Sequence, residues 1–230
     1  MPQLVYFLSV LIKYMKKITA LKMEEGRKKR VAVYWEGQRR PLRLEVDTAL
    51  KEGLTVGQEF SESELAHLTR LDLFYRTQNA ALHFLSYRPR SESEVKSRLI
   101  RRGFAEEEIN TVLLKLKEQG LLSDADFAEF WKENRQAFSP RSQFLTRLEL
   151  KRKGVANEVI DEVVSSLDDS TNAYRAGMER ARRITIADRN VFRKRLGDYL
   201  RRRGFSYGVI NETVERIWRE VSEVAPDKIG

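Results

Sequence analysis

The sequence predicts a mainly α-helical protein, with three tandem three-helix repeats following a small α/β unit. Three observations carry that prediction. Gly103, Gly154 and Gly204 each close a basic run (Ile100-Arg101-Arg102, Lys151-Arg152-Lys153 and Arg201-Arg202-Arg203), and the glycines lie 51 and then 50 residues apart. An apolar ladder follows each in one register: Ile109, Val112, Leu113, Leu116; then Ile160, Val163, Val164, Leu167; then Ile210, Thr213, Val214, Ile217, with one polar exchange. Steps of three, one and three put these side chains on one helix face. Finally, Arg88-Pro89-Arg90-Ser91 returns 51 residues later as Ser139-Pro140-Arg141-Ser142. Self-similarity of this kind marks a modular helical array, whose function is spread along a surface rather than held in one pocket.

The elements follow in order. Leu4 to Ile12 is a nine-residue apolar run, too short to span a bilayer. It has neither the positive flank nor the small-residue cleavage site of a secretory signal. Met15 and Met23 are both plausible starts, and residues 1–26 are expected to be a tail, disordered or an artefact of start-site choice. Residues 27–75 read as the α/β unit. Val31, Val33 and Trp35 alternate as one strand, and Leu42, Leu44 and Val46 as a second behind Pro41, with Glu36-Gly37-Gln38 as the turn. Asp47 is placed to cap a short helix over 48–52 that Gly53 ends, and 54–56 then extends briefly. Ser61 with Glu64 makes a capping box for a helix from Glu62 to about Leu73.

Repeat 1 is predicted over 79–122. Its first helix, from Asn79, is broken by Pro89; its second opens at a Ser91/Glu94 capping box and ends at Gly103; its third runs from Glu106 to Glu118 and stops at Gly120. Repeat 2 spans 123–169, opened by Ser123 and Asp126, with Phe127, Phe130 and Trp131 on an apolar face. Repeat 3 spans 170–223, before a tail over 224–230. It departs from the pattern, because Asn190 stands where the other copies carry proline. On its second helix Phe192, Leu196, Tyr199 and Leu200 form one stripe, with Lys194 and Arg201 on the far side and Arg193 between.

Charge is the strongest functional signal. The chain carries a formal +9 with pI near 9.7. Between Arg175 and Arg203, eleven Lys or Arg face three acids, a local +8. Such a balance favours an acidic partner, nucleic acid foremost. Cysteine is absent, so there is no disulfide framework and no thiolate metal site. His67 and His83 stand alone on helices, and Gly53-Leu-Thr-Val-Gly57 lacks the lysine of a phosphate loop. Glu106-Glu107-Glu108 sits where negative charge suits a helix N-terminus. No catalytic residue, cofactor or metal is expected.

The candidate contact residues are the basic runs: Arg101, Arg102, Lys151, Arg152, Lys153, Arg193, Lys194, Arg201 and Arg202. Recurring at one place in three modules, they suit a phosphate backbone or an acidic protein groove. Nothing marks a base-reading helix, so binding is expected to be non-sequence-specific.

These features resemble the RecX family of regulatory proteins over residues 27–223. The likeness rests on Ala80-Leu-x-x-Leu-Ser-Tyr-Arg-Pro-Arg-Ser-Glu-x-Glu, Leu99-x-x-Arg-Gly-Phe, Gly120-Leu-Leu-Ser-Asp-x-Asp-Phe-Ala, Pro140-Arg-Ser and Leu150-Lys-Arg-Lys-Gly-Val. The third module is the least typical and rests on Leu200-Arg-Arg-Arg-Gly-Phe. The resemblance implies an elongated, curved array of three-helix repeats in a cytoplasmic regulator without catalysis of its own. It further implies a partner, the RecA recombinase filament on DNA, which the protein enters by the groove and usually inhibits. Links to DNA repair, recombination and the SOS response follow, with a monomer and no membrane association. The alternative is a stand-alone, non-sequence-specific nucleic-acid-binding module.

Overall fold

The computed structural model describes residues 15–24, 30–184 and 188–224. The chain divides into two compact units, Met1–Ser86 with Leu99–Leu114, and Tyr87–Arg98 with Lys115–Gly230.

The first unit is organised by an antiparallel sheet in the order β3-β2-β1-β4, from β1 (Lys16–Glu24), β2 (Arg30–Trp35), β3 (Leu42–Glu45) and β4 (Glu59–Phe60). Alternation explains its core. Val31, Val33 and Trp35 turn to one side with Ile18 and Leu44 and are all buried, joined by Leu68. Phe60 meets Trp35 edge-on at 5.5 Å between centroids. A short helix, α1 (Val46–Lys51), leads on to α2 (Glu62–Leu85). The Ser61–Glu64 capping box opens α2 as the spacing predicts. Buried Asp72 on α2 accepts from the Glu45 amide at 2.7 Å and the Thr48 hydroxyl at 2.9 Å, tying α2 to β3 and α1.

Four details differ from the sequence reading. Residues 16–24, assigned above to a tail, form β1, paired on both sides by β2 and β4. Only Ile18 of this strand is deeply buried, so the two-residue period is masked by Lys16, Lys17, Lys22 and Glu24. The sheet therefore uses residues upstream of Met23; the expectations for residues 1–14 and 225–230 lie outside the described residues. Second, α2 is continuous through 73–79, because no glycine or proline interrupts it and Thr77 bonds back to the Leu73 carbonyl at 2.9 Å. Third, α1 starts at Val46, with Asp47 inside its first turn rather than capping it. Fourth, the short extension past Gly53 is β4, at 59–60 rather than 54–56.

Two helices are divided between the units: α3 (Glu92–Arg101) and α4 (Glu106–Glu118). The repeat 1 ladder, Ile109, Val112, Leu113 and Leu116, is buried throughout.

The second unit contains repeat 2 as α5 (Asp124–Phe138), α6 (Gln143–Arg152) and α7 (Asn157–Ser165), and repeat 3 as α8 (Asp169–Ala181), α9 (Arg189–Arg202) and α10 (Tyr207–Val224). Repeat 2 closes around Phe127, Leu150, Ile160 and Val164. Repeat 3 closes around Phe192, Leu196, Leu200 and Ile217, so its divergent sequence retains the same core positions. Without proline before it, α9 begins at an Asp188 cap and runs 14 residues, against 10 in α3 and α6.

The repeated signature marks the joint between modules. At Gly154 (φ 80°) and Gly204 (φ 84°) the chain leaves its helix through the left-handed region, which glycine adopts without a Cβ penalty. The turn then packs on the start of the preceding repeat's second helix. A Cβ on Gly154 would lie 2.6 Å from Cβ of Ser93, and one on Gly204 would lie 2.8 Å from Cβ of Leu145. The Ser91 hydroxyl donates to the Lys153 carbonyl at 2.7 Å, and the Ser142 amide to the Arg203 carbonyl at 3.1 Å. The C-terminus of α6 thus meets the N-terminus of α3, and that of α9 meets that of α6, so opposite ends of the helix dipoles adjoin. Carboxylates of the following repeat complete the joint: Asp124 accepts from the Glu92 amide at 2.8 Å, and Asp169 from the Gln143 amide at 2.7 Å.

A charged cluster reinforces the first joint. Glu94 receives Lys153 at 2.5 Å and Arg88 at 3.3 Å. Burial alone would raise the Glu94 carboxyl, but the bonds from Lys153 and Arg88 outweigh it and hold the group below its ordinary value of 4.5. A carboxylate depressed in the folded state adds stability above its unfolded pKa and loses it as pH falls through the folded one. Glu94→Gln is therefore expected to cost about 1–2 kcal/mol near neutrality. The gap to wild type should shrink as pH drops below 4.5. Burial raises Asp124 and Asp169, an opposite contribution common to both proteins that cancels in the comparison. Thermal melts at neutral and acid pH test this; an equal gap at both would remove the ion pair from the joint.

Candidate functional site

Eight of the nine basic candidates are exposed. Arg101 and Arg102 lie at the end of α3 and just beyond it, in the first unit. In the second unit, Lys151 and Arg152 close α6, while Arg193, Lys194, Arg201 and Arg202 stand on α9. Lys153 is different. It is half-buried, bound to Glu94 and set 4.9 Å from the Trp131 ring centroid, so it serves the joint rather than a free surface. The cation immediately before the glycine has the same duty in repeat 3, where Arg203 donates to the Ser139 hydroxyl at 2.8 Å.

The apolar stripe explains why α9 shows its cations outward. Phe192, Leu196 and Leu200 are fully buried, Tyr199 is half-buried, and the opposite face is left to charge. Some of that charge is paired. Arg193 meets Glu215 at 3.3 Å, and Arg201 meets Asp198 at 2.8 Å. Glu215 lies below the ordinary carboxylate range, chiefly through its hydrogen bond from Arg189. Between α9 and α10 lies an open cleft of about 230 Å³, lined by Arg193, Lys194, Gly197, Asp198, Arg201 and Asn211, with Tyr207 at its edge. Tyr207 is 79% exposed.

Repeat 2 is built around a carboxylate instead. Glu149 on α6 accepts from Trp131 Nε1 at 2.9 Å, from Arg135 Nε at 2.8 Å, and from Arg141. Arg135 also lies 4.5 Å from the Trp131 ring centroid. Trp131 is thus held by cations and half-buried, and Phe127, 5.8 Å away between ring centroids, is fully buried. Among the described residues no cluster of three metal-ligating side chains occurs, and no helix is long and apolar enough to cross a membrane.

Comparison with known proteins places this architecture. The model of the first three-helix domain of RecX matches residues 78–116, and that of the second matches 123–164. The regulatory protein RecX of Chlorobium phaeobacteroides (strain BS1) is 34% identical over 139 residues, which cover 60% of this chain and 91% of that relative. The chain belongs to the RecX family. The regulatory protein RecX of Mycobacterium avium (strain 104) is 36% identical over 138 residues, covering 58% of this chain and 79% of that relative. A crystal structure of a regulatory protein RecX matches in fold, with a TM-score of 0.64 at 21% identity, over 87% of this chain and 99% of that one. The two domain models stop before α8, so the third bundle is recognised from its own core and joint rather than from the models.

The basic residues are legible in the sequence, but the cleft is not, nor is the pairing of Tyr199 with Arg203, whose guanidinium lies 4.5 Å from the ring centroid. Shifted by 50 residues, Arg147 and Asp161 of repeat 2 fall on Gly197 and Asn211 of repeat 3.

Proposed function

We propose that this protein regulates the RecA recombinase by binding its filament on DNA and lowering filament-dependent activity. Membership of a family of regulatory proteins supports the regulatory role. The observation that carries the binding mode is the local charge of +8 over residues 175–203, displayed in part by Arg193, Lys194, Arg201 and Arg202 on a well-packed helix. A stack of modules suits a polymeric partner, because several weak contacts along one groove add as avidity. Since phosphate contacts carry no base information, binding is expected to be indifferent to sequence and strongly weakened by salt. Action as a monomer in the cytoplasm, within DNA repair and the SOS response, belongs to the same proposal.

The test is titration into a RecA filament assembled on DNA, read by DNA-dependent ATP hydrolysis. Wild type should lower the rate at amounts well below those of RecA. Reversing Arg193, Lys194, Arg201 and Arg202 to Glu should raise the protein needed by about tenfold or more, as loss of several phosphate or acid contacts requires. Unchanged hydrolysis with equimolar wild type would sink the proposal.

A further inference from the structure

We infer that the cleft between α9 and α10 is a phosphate-binding site for single-stranded nucleic acid, present in repeat 3 because that module has lost a plug that repeat 2 keeps. In repeat 2, Arg147 of α6 pairs with Asp161 of α7 across the same pair of helices. The residues at those places in repeat 3 are Gly197 and Asn211, and both line the open cleft. The exchange removes the long side chain from one wall and the negative charge from the other.

Other exchanges point the same way. Phe144 and Asn157 of repeat 2 become Lys194 and Tyr207 in repeat 3, while the cation of Lys151 is kept as Arg201. Lys194 and Arg201 lie seven residues apart on one helix face, about 10 Å by helical rise, with the gap at Gly197 between them. Lys194 has no ion pair among the described residues. Asp198 engages one guanidinium nitrogen of Arg201 at 2.8 Å, and the planar fork keeps further donors. Asn211 adds a side-chain amide, and exposed Tyr207 an aromatic face against which a base stacks.

Gly197 itself lacks any structural reason. It has no positive φ, and an added Cβ would meet only Cγ2 of Ile210 at 3.7 Å, an ordinary contact. Gly177 has a reason, because a Cβ there would lie 2.5 Å from Cδ1 of Ile217. A glycine inside a helix destabilises it relative to alanine, so its presence at 197 is accounted for by the space it leaves. Asp198 engages Arg201 and Glu215 engages Arg193, so the positive charge left by Lys194 and by the free donors of the two guanidinium groups selects an anion, and the flanking ring selects one attached to an unpaired base.

The inference deepens the proposed function, but its test needs no recombinase and so fails separately. Binding of labelled oligothymidylate to the full chain is measured by fluorescence anisotropy, with the corresponding duplex and polyglutamate as competitors. The variant Gly197→Arg/Asn211→Asp installs the repeat 2 pair and leaves net charge unchanged. It is expected to weaken oligothymidylate binding about tenfold, the scale of a lost charge-assisted contact, with an undiminished melting temperature. Tyr207→Leu, at an exposed position, is expected to weaken single-strand binding about tenfold and duplex binding less than about twofold. Unchanged oligothymidylate affinity in either variant overturns the inference. So does polyglutamate displacing the oligonucleotide more effectively than unlabelled oligothymidylate, which would make the cleft a site for acidic protein.

Discussion

Gly154→Ala is expected to destabilise the protein by about 3 kcal/mol, while Gly103→Ala at the equivalent place in repeat 1 costs only about 1 kcal/mol. Both glycines hold left-handed backbone, with φ of 80° and 85°. Alanine in that region costs about 1 kcal/mol wherever it stands. Their surroundings differ. Nothing lies within 4 Å of a Cβ built on Gly103, whereas one on Gly154 falls 2.6 Å from Cβ of Ser93. Ser93 Cβ is fixed to the backbone of α3, so the overlap is relieved only by separating the two repeats. That strains the Ser91–Lys153 bond of 2.7 Å and the Glu94–Lys153 pair. Urea denaturation of the two variants checks the difference. Adding Ser93→Gly to Gly154→Ala should recover about 1–2 kcal/mol of coupling, because it removes the colliding atom and not the dihedral strain. Equal costs at 103 and 154, or no coupling to Ser93, would show that the glycine serves its turn alone and not the joint.

That comparison also shows what was legible in the sequence. The glycine period, the ladders after it and the proline turns before it gave the modules, because each depends on local backbone chemistry that only a few residues satisfy. The second reason for the glycine was not legible, since contact with Ser93 is made 61 residues away. Lys153 was misleading for the same reason. Its neighbours Lys151 and Arg152 are exposed, and nothing local signals that the third cation of the run is bound to Glu94. β1 was lost to its charges, since a strand with one deeply buried side chain carries little pattern. The cleft was hidden differently. Gly197 and Asn211 are unremarkable as residues and become informative only when repeat 3 is laid on repeat 2 and the Arg147–Asp161 pair is known to join two helices.

Glu149→Ala is expected to be comparably damaging, at about 3 kcal/mol, the cost of stranding partly buried cations. Its side chain is 11% exposed and accepts from Trp131, Arg135 and Arg141; the two arginine side chains are 24% and 28% exposed. Removing the acid leaves two cations and an indole N–H without their acceptor, and burial already depresses the Arg141 guanidinium. Water reaches both arginines in part, which holds the cost at the low end for a broken ion pair. Glu149→Gln keeps an acceptor oxygen and loses the charge, so about half the cost is expected. Repeat 3 supports this account from the other side. Its residue at the position of Glu149 is Tyr199, and there the cations are gathered by the ring, with Arg203 at 4.5 Å and Arg180 at 5.7 Å from its centroid. Positions 149 and 199 thus both gather arginines, by carboxylate in repeat 2 and by aromatic face in repeat 3. Urea denaturation of the Ala and Gln variants is the check, and a loss below about 0.5 kcal/mol for Glu149→Ala would mean that solvent replaces the carboxylate. Because the same network anchors α6 to α5, the Ala variant is also expected to loosen the end of α6 where Lys151 and Arg152 are displayed, seen as faster amide exchange over residues 150–154 than in wild type.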